Sequence, residues 1–585
     1  MDYKTANIAV IVCLIVAGFV IYGNSVGNSF VYDDNPLIAD NPFIKTFDNI
    51  GKLFLVDLHF FGSAKNLTKI KYYRPVVALS FVVDYFLWGL EAFGYHLTNI
   101  SIHICNAVLI FFLACVLSGD RRIGVIASFL FLVHPINTEA VTYISGRGDP
   151  LSLFFGLSSF LLFLRHLKEY KNTFSTLNLS SAFLFMIALL TRESNALFFL
   201  VFPSYVYIYS KERITKEGFK VFYALLPHIT VLAIFILFRY AVLGVLISEG
   251  LAPDPLAVRL MTLPRVIVLY MGMLLFPHNL HMNRTLAPVQ TLFSPLFLIP
   301  FTILLFISVL IVRMSKNDAL IRFSAVWVAV NFLPFSSVVF PLSTYVAEHW
   351  IYIPLVGISI IAAGSMTRFF DGIRDYKPVK YLATIILAAV IVSYSIATVR
   401  QNRNWKDAET FYTWIDRFEK TDYRVSSNLG ALRLQEKRYD EALDLYKKAL
   451  SNIPESGLST DLGRQHFSLI YKGLGDAYVG KGDRDTAITY YEKAVEINPR
   501  FGDAYNDLGN CYLRQGREKQ AIEAYEMCIK FSPYNWTPYA NLGSYYMNKG
   551  ELKKSKYYWG KVLEMSPGFE PAIKSLGVIR KRLIE

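Results

Sequence analysis

The stretch LGDAYVGKGDRDTAITYYEKAVEINP, residues 474–499, decides the fold of the C-terminal part of the chain, because its pattern recurs. A period of 34 residues is typical of the tetratricopeptide repeat, in which each unit is a pair of packed helices. The sequence therefore predicts an α-solenoid in this part. Residues at four positions return with this period: Gly475, Gly509 and Gly543; Tyr478, Tyr512 and Tyr546; Tyr491, Tyr525 and Trp559; Pro499, Pro533 and Pro567.

An earlier unit extends the array towards the N-terminus. Gly430 and Tyr446 match the same pattern at an offset of 45 residues, which predicts an eleven-residue insertion around residues 455–465. We predict four repeats over residues 423–585. Residues 569–583 form a capping helix with a polar face, since the end of a solenoid must meet water.

Asparagines on the repeats are the candidate acceptor-binding residues. Asn506, Asn510 and Asn541 carry amide groups that suit hydrogen bonding to the backbone of an extended peptide. The alternative is that the repeats serve only as a spacer or a docking surface.

The composition places the remainder of the chain in a membrane. The 585 residues are 54% hydrophobic and 18% charged, with a mean hydropathy of +0.35, well above that of a soluble domain. The net charge is +13, and about +9 of it precedes Arg403. Lys and Arg do not interleave with aromatics, so nucleic acid is not a predicted partner. The five cysteines show no spacing typical of a disulfide framework or a zinc site.

Apolar runs of about 15 to 25 residues recur before residue 400, each long enough to cross a membrane. The first run lacks a small-residue cleavage site and is predicted to be a retained span rather than a removed signal peptide. Residues 262–276 are interrupted by Pro264 and Arg265 and are predicted to form an interfacial or re-entrant helix. About eleven spans are predicted: residues 6–23, 96–118, 123–137, 150–165, 178–191, 195–210, 221–246, 294–313, 319–338, 350–368 and 379–397.

Alternate connections are basic, which predicts the orientation in the membrane. With these connections in the cytoplasm, the N-terminus is cytoplasmic and the repeats are extracytoplasmic. The lack of cysteine pairs favours a prokaryotic cell membrane over the endoplasmic reticulum. The basic connections are residues 119–122, 165–171, 211–220, 313–322 and 367–380. The predicted domains are a membrane domain (1–400, with its first outward loop at 24–95), a connecting segment (401–422) and the repeats (423–585).

Ionisable residues stranded at the outer ends of the apolar runs are the candidate functional residues, because charge is costly at membrane depth. Arginines bind phosphate oxygens through forked hydrogen bonds, and a nearby carboxylate can accept a proton from a hydroxyl. Two alternatives stay open: the charges neutralise one another, or the first acidic pair caps a helix that begins near Pro36. The candidates are Asp33, Asp34, Arg74, His96, His134, Glu139, Arg147, Asp149, Arg192, Glu193, Glu348 and His349.

The order of these motifs resembles the transmembrane and tetratricopeptide-repeat O-mannosyltransferases and their prokaryotic relatives. The motifs are VYDDN, YRPVVALSF, FGYHLTN, HPINTEAVTYISGRGD, LLTRES, AEHWIYIPLVG and RNWKDAETF. The resemblance implies an all-α, polytopic bundle of the GT-C glycosyltransferase type, with an acidic motif in the first outward loop. Two positions depart from the family pattern. Arg192-Glu193 stands in place of Lys-Glu, and Glu348-His349 in place of Glu-Arg, so the charge at His349 depends on pH.

The resemblance also implies the activity. A sugar, mannose in the family, moves from a polyprenyl-phosphate donor to a protein Ser or Thr hydroxyl outside the cytoplasm, with inversion. Asp34 is the favoured base and Asp33 the second choice. The donor phosphate is assigned to Arg147, Arg192, Arg74 and His349, with His96, His134, Glu139, Asp149, Glu193 and Glu348 in supporting roles. No covalently bound cofactor is expected. The resemblance implies no metal, although an acidic pair is able to hold a divalent cation.

Two functions of other classes remain open at this stage. A flippase or transporter of lipid-linked sugars also needs charges in the membrane, but it predicts charges near mid-span and paired repeats between halves. A non-catalytic membrane scaffold that displays the repeats would not need the acidic pair or the arginines.

Overall fold

The computed structural model describes residues 3–56, 72–169, 172–209, 220–245, 254–342, 344–453, 458, 461–566 and 568–584. All regular secondary structure in these ranges is helical, which confirms the predicted all-α class. The chain separates into two compact units, Met1–Phe418 and Glu419–Glu585. The residues of the predicted connecting segment up to Phe418 therefore fold with the first unit.

Long helices dominate the first unit, and short helical turns connect them. The long helices are α1 (Tyr3–Tyr22), α2 (Pro75–Trp88), α3 (Ala92–Ser118), α4 (Arg121–Val133), α5 (Gly148–Glu169), α6 (Thr176–Thr191), α7 (Val201–Tyr209), α8 (Leu226–Leu243), α9 (Leu256–Leu275), α10 (Pro295–Ser315), α11 (Ala319–Phe332), α12 (Pro354–Gly372), α13 (Lys377–Asn402) and α14 (Ala408–Asp416). The short turns are Gly23–Ser25, Asn35–Ala39, Pro42–Lys45, Phe47–Asn49, Ile50–Leu53, Pro135–Asn137, Thr138–Val141, Ile144–Arg147, Asn195–Phe198, Lys220–Tyr223, Leu333–Phe335, Glu348–Ile351 and Arg403–Trp405.

Seven helices in the described part of the chain are long and apolar enough to cross a membrane: α1, α3, α5, α8, α9, α10 and α13. An eighth span results if α4 and Pro135–Val141, which meet at 53°, are counted as one. The protein is thus a multi-pass membrane protein. The count of seven or eight is lower than the predicted eleven, because four further apolar helices in the described part of the chain have only 10–17 residues. Apolar runs continue through turns that end the helices. The run at 319–338, for example, stops being α-helical at Phe332, because Pro334 cannot donate a backbone hydrogen bond.

At one end of the first unit, ion pairs link the ends of helices that border the basic connections. Arg122, in the first turn of α4, pairs with Asp371 in the last turn of α12 at 2.6 Å. Arg368, also near the end of α12, pairs with Asp318 at the start of α11. We call this the basic end. Residues of three predicted basic connections therefore meet at one end of the unit, and the cytoplasmic location of that end stays a prediction. The basic connection at 211–219 lies outside the described residues.

The opposite end, which we call the site end, joins the first loop to the segment after α13. Asn28 donates its amide to the carbonyl of Asn402 at 3.0 Å, and the Ser29 backbone N–H donates to the carbonyl of Lys406 at 2.8 Å. Thr142, after the break in α4, donates its hydroxyl to the Asn402 side chain at 2.7 Å. Loops that are far apart in sequence therefore converge at this end.

Helix α9 is continuous through Pro264 and is long enough to span a membrane. Residues near both its start and its end nevertheless contact the site end of the unit. Near its start, Thr262 accepts the backbone N–H of Val289 at 2.9 Å. At its end, the carbonyl of Leu274 accepts from His134 at 3.0 Å and from Tyr394 at 2.9 Å. These contacts fit the interfacial placement, which stays a prediction.

The second unit is a series of antiparallel helix pairs. Its helices are α15 (Tyr423–Gln435), α16 (Tyr439–Asn452), α17 (Asp461–Gly480), α18 (Arg484–Ile497), α19 (Gly502–Arg514), α20 (Glu518–Phe531), α21 (Thr537–Asn548), α22 (Leu552–Met565) and α23 (Glu570–Ile584). The turn within three of the pairs uses a glycine with a positive φ, at Gly482, Gly516 and Gly550. In the first pair Lys437 takes this conformation, which a residue with a Cβ rarely adopts.

The offset of 45 residues arises partly within α17. This helix has 20 residues, whereas the corresponding helices α15, α19 and α21 have 13, 13 and 12. The last residues of the predicted insertion thus lengthen the helix. Residues 454–457, 459 and 460 lie outside the described part of the chain.

We expect Gly475→Ala to destabilise the repeats. A Cβ at Gly475 would lie 2.5 Å from the Cε1 atom of Tyr491, in the partner helix of the pair. Overpacking of this kind costs about 1–3 kcal/mol. Hydrogen exchange of α17 and α18 in the full chain measures the effect. Gly560→Ala is the matched control, because its Cβ would meet nothing within 4 Å. Equal protection in both variants would contradict the close packing.

Candidate active site

The first loop turns sharply just before its two carboxylates. Tyr32 has a φ of +53°, a backbone conformation that is strained for a residue with a bulky side chain. The next two residues differ in exposure, since Asp33 is partly exposed and Asp34 is fully buried. Asp34 makes no capping bond to the helical turn at Asn35–Ala39, so it does not act as a cap there.

Asp34 connects the first loop to the segment before α5. Its Oδ1 atom accepts the backbone N–H of Ser145 at 2.8 Å and the Ser145 hydroxyl at 2.6 Å. Its Oδ2 atom accepts the backbone N–H of Val31 at 3.0 Å. Burial raises the pKa of Asp34 to about 7, while these hydrogen bonds act in the opposite direction. Both oxygens are occupied, so this carboxylate is poorly placed to accept a substrate proton.

Asp33 has the more open carboxylate. The hydroxyl of Tyr143 donates a hydrogen bond to it, and burial raises the pKa of Asp33 to about 6. The ring of Tyr143 stacks on that of Trp405, with ring centroids 5.3 Å apart. Trp405 therefore helps to hold Tyr143 in place. The geometry therefore favours Asp33 over Asp34 as a base, which reverses the preference drawn from the sequence.

Arg147 is fully enclosed and fully paired. Its Nε donates to Asn99 at 2.6 Å, one terminal nitrogen donates to the carbonyl and hydroxyl of Ser80, and the other donates to the carbonyl of Tyr95 at 3.0 Å. That second nitrogen also lies 2.5 Å from a carboxylate oxygen of Asp84. Four of the five N–H donors are thus hydrogen-bonded, and the fifth lies at the carboxylate of Asp84 in an ion pair. The geometry does not fit the assignment of Arg147 to the donor phosphate, and Arg147 instead anchors α5 to α2 and α3.

Arg192 and Arg74 form a second cluster with two carboxylates. Arg192 pairs with Asp149, and Arg74 pairs with Glu193 at 3.1 Å. Glu193 also accepts the backbone N–H of Tyr73 at 2.6 Å, which fixes the start of α2. Within the described part of the chain the guanidinium of Arg192 makes no hydrogen bond to a further residue, so most of its N–H donors are available.

The second cluster lies close to the first loop. Arg74 and Arg192 are near enough to repel each other, and burial lowers the pKa of Arg192. The charges of Arg74, Arg192 and Asp33 all act on the hydroxyl of Tyr72. Tyr72 is therefore the residue that these three charged groups share as a neighbour, and Arg74 lies over its ring at 4.4 Å.

A third cluster is built around Glu139, whose carboxylate is 1% exposed. Glu139 accepts the backbone N–H of Glu348 at 2.8 Å, and its other oxygen lies 2.6 Å from Nδ1 of His349. Glu348 accepts the backbone N–H of His281 at 2.7 Å and pairs with Arg284 at 3.3 Å. Burial next to Glu139 raises the pKa of Glu348. The imidazole of His349 is a quarter exposed, so it can face a ligand.

Two of the predicted supporting histidines hold loops instead. His96 is buried, and its Nε2 bonds to the carbonyl of Asn28 at 3.2 Å. His134 uses both ring nitrogens, because Nδ1 accepts the backbone N–H of Ile136 and Nε2 donates to the carbonyl of Leu274. Both ring nitrogens of His134 are therefore engaged, whereas Nδ1 of His96 is buried without a hydrogen-bond partner among the described residues.

The three asparagines on the repeats bond to one another. The amide of Asn541 donates to the side-chain oxygens of Asn506 and Asn510, both at 3.0 Å, and the Tyr525 hydroxyl donates to Asn510 at 2.8 Å. Asn506 is buried, so it is not open to a peptide, whereas Asn510 and Asn541 are partly exposed.

Sequence reasoning missed several of the partners. Asp84 is a lone carboxylate in the apolar run FVVDYF, and that position alone could have marked it as the partner of a buried cation. Ser145, Tyr143 and Arg284 carried no comparable signal. Among the described residues, no group of three or more potential metal ligands comes together.

Comparison with known proteins agrees with the motif order. Human Protein O-mannosyl-transferase TMTC3 is 27% identical over 481 residues, which cover 77% of this chain and 52% of the human protein. The chain is a relative of these protein O-mannosyl-transferases. Drosophila melanogaster Tmtc3 is 24% identical over 549 residues, covering 81% of this chain and 58% of the fly protein. The resemblance inferred from the motifs is confirmed, although the chain spans little more than half the length of these relatives.

The repeats and the membrane helices each match further proteins. Family models described as tetratricopeptide repeat match residues 423–500 and 472–535, which confirms the predicted repeats. MamA is 25% identical over 27% of this chain and 85% of its own, with a TM-score of 0.23. ArnT from Cupriavidus metallidurans bound to undecaprenyl phosphate is 14% identical, covers 86% of this chain and 81% of its own, and has a TM-score of 0.39. Both structural likenesses are distant.

Proposed function

We propose that this protein transfers mannose from a polyprenyl-phosphate donor to a protein Ser or Thr hydroxyl, with inversion, on the extracytoplasmic side of the membrane. The observation that carries the proposal is the partly exposed carboxylate of Asp33 near Tyr72, whose hydroxyl the charges of Arg74 and Arg192 also influence. The similarity to protein O-mannosyl-transferases over three quarters of the chain supports the sugar and the acceptor.

Asp33 acts as the general base in this proposal. Its carboxylate accepts the proton of the acceptor hydroxyl while the oxygen attacks the anomeric carbon from the side opposite the phosphate. The bond between the anomeric carbon and the phosphate oxygen breaks, and the phosphate leaves with the polyprenyl chain. Tyr143 positions the carboxylate, and Asp34 keeps the loop attached to Ser145.

The leaving phosphate is stabilised by Arg192 and Arg74, with His349 contributing through its partly exposed imidazole. Arg192 has free donors, and a guanidinium matches the geometry of phosphate oxygens. Asp149 and Glu193 hold the two arginines in place, as Glu139 holds His349. Arg147 has no part in this step, because its donors are all engaged inside the protein.

The repeats present the acceptor in this proposal, through the partly exposed amides of Asn510 and Asn541. The site end faces the cell exterior of a prokaryote, since the connections at the basic end are predicted to be cytoplasmic. In this proposal the carboxylate of Asp33 serves as the base and the arginines bind the phosphate, so no step requires a bound cofactor or metal.

Transfer from a labelled donor tests the proposal. The purified full chain is incubated with polyprenyl-phosphate [³H]mannose and a Ser/Thr-rich peptide, and label on the peptide is measured with the anomeric configuration of the product. We expect α-mannosyl peptide from a β-linked donor. In sealed liposomes, movement of the intact donor across the bilayer without cleavage would instead indicate a flippase. If neither transfer of mannose nor movement of the donor is detected, the remaining function is that of a non-catalytic scaffold.

Arg74→Gln is expected to weaken donor binding more than it slows turnover. The guanidinium is about one fifth exposed and pairs with Glu193 through its Nε, so it can contact a phosphate with its outer nitrogens. Loss of a charge-assisted hydrogen bond of about 1.5–3 kcal/mol predicts a rise of roughly 10- to 100-fold in the donor KM. Initial rates at varied donor concentration measure this effect. Arg165→Gln, an exposed arginine in the last turns of α5, is the matched control. An unchanged donor KM in Arg74→Gln would remove Arg74 from the phosphate site.

A further inference from the structure

A groove of about 350 Å³ opens between α12 and α13 in the membrane-spanning part of the first unit. Its walls are almost wholly apolar, with Ala362, Met366 and Phe370 on α12 facing Ala383 and Val390 on α13. Only 6% of the apolar stretch of α13 is buried inside the protein, so this helix stands away from its neighbour. At 1.5 Å per residue, the groove from Ala383 to Tyr394 is roughly 16 Å long. It therefore has the shape and chemistry to hold a hydrocarbon chain.

The part of the groove at Phe370 and Ala383 lies towards the basic end, where α13 begins with two lysines. Lys377 and Lys380 precede Ala383 on α13 by two turns and one turn, and both are exposed. Neither lysine forms an ion pair with any residue that the structure describes, although Lys380 acts on Asp371 over a longer distance.

The other charges at this mouth already have partners. Asp371 is held by Arg122, Arg368 by Asp318, and Arg374 by Asp375. The lysines thus provide a net positive charge at the entrance. Exposed tyrosines flank them, Tyr376 and Tyr381, which are 67% and 69% exposed. Aromatic residues of this kind are enriched where a membrane meets water.

We propose that the groove binds an anionic glycerophospholipid from the leaflet at the basic end. One acyl chain lies between α12 and α13, and the headgroup phosphate lies on Lys377 and Lys380. Basic residues between transmembrane helices recognise anionic headgroups in this way. The charge at the mouth favours this lipid over a zwitterionic one. The groove runs the length of the unit to Tyr394, but none of the proposed catalytic or phosphate-binding residues lines it.

Competition between two phospholipids tests the site. The full chain is reconstituted in nanodiscs with equal amounts of phosphatidylglycerol and phosphatidylcholine that carry the same acyl chains. It is then extracted in mild detergent, and retained lipid is counted by native mass spectrometry. We expect one retained lipid, with phosphatidylglycerol preferred about fivefold or more, because each lysine near the headgroup contributes to the attraction. A ratio near one in the wild type would overturn the proposal.

Two pairs of variants test the acyl-chain contact and the headgroup contact separately. Ala383→Trp fills the groove and should abolish retention of both lipids, whereas Ile385→Trp, on the exposed face of α13, should retain them as the wild type does. Lys377→Gln with Lys380→Gln should lower the preference to about one, and Lys316→Gln, an exposed lysine after α10, should leave it unchanged. Undiminished retention in Ala383→Trp, or an unchanged preference in the lysine pair, would contradict the site. The lysine pair is at the surface, so it tests the headgroup contact even if Ala383→Trp does not fold.

Discussion

Asp33→Asn is expected to lower kcat for mannosyl transfer by about 1000-fold, the size of effect typical of a lost general base. Asn has the shape of Asp but cannot accept the proton of the attacking hydroxyl. Because Asp33 is partly exposed and Tyr143 leaves part of its carboxylate open, the variant should fold and bind the donor as the wild type does. Steady-state rates with labelled donor and peptide measure kcat, and donor KM serves as the check on binding.

Asp34→Asn is the control for Asp33→Asn. It places an amide next to the donors of Ser145 or Val31, so it weakens the attachment of the loop without removing a base. We expect kcat to fall only about tenfold, since a small misplacement of Asp33 is enough for that, together with a lower Tm. Ser145→Ala should reproduce this pattern. A larger loss of kcat in Asp34→Asn than in Asp33→Asn would return the role of base to Asp34.

The dependence of kcat/KM on pH provides a second test of the role of Asp33. A base works only in its deprotonated form, and burial raises the pKa of Asp33 to about 6. kcat/KM should therefore rise with pH up to about 6 and become level above it. This rising limb should be absent from the residual activity of Asp33→Asn. A limb that persists in the variant would mean that another group is the base.

The fold was predictable where one local pattern decides the packing. The 34-residue period places a glycine opposite an aromatic ring in each repeat, and the structure has Gly509 against Tyr525 and Gly543 against Trp559 in this way. The apolar runs were equally visible, but their division into spans was not. A run of apolar residues does not show where a turn interrupts the helix, as it does after Phe332.

The candidate site was predictable in its residue types and less so in their roles. Arg147 and Arg192 look alike in sequence, since each lies near a carboxylate at the end of an apolar run. Their roles differ because α2 brings Asp84 to Arg147, from 63 positions earlier in the chain. The difference between Asp33 and Asp34 arises similarly from Ser145, 111 residues away. Contacts of this kind depend on tertiary packing, which local sequence does not encode.

Arg147→Met is expected to unfold the membrane unit rather than to weaken donor binding. The variant leaves Asp84 as a buried, unpaired carboxylate, and breaking a buried pair by removing one partner costs about 3–5 kcal/mol. Low yield, early elution of aggregates and a lower Tm in detergent should result. The matched comparison at the proposed phosphate site is Arg192→Met with Asp149→Asn, which leaves no buried carboxylate unpaired: it should lose transfer activity with a smaller change in Tm than Arg147→Met.

The double variant Arg147→Met with Asp84→Asn decides between an anchor and a phosphate ligand. Asn at position 84 carries no charge and still accepts the hydroxyl of Thr98, which lies 2.8 Å from Asp84. Because the unpaired charge is the main cost, removing it should restore at least about half of the lost stability. Transfer activity should return together with the folded protein. If Arg147 contacts the donor phosphate instead, Arg147→Met will fold normally with a raised donor KM, and Asp84→Asn will not correct it.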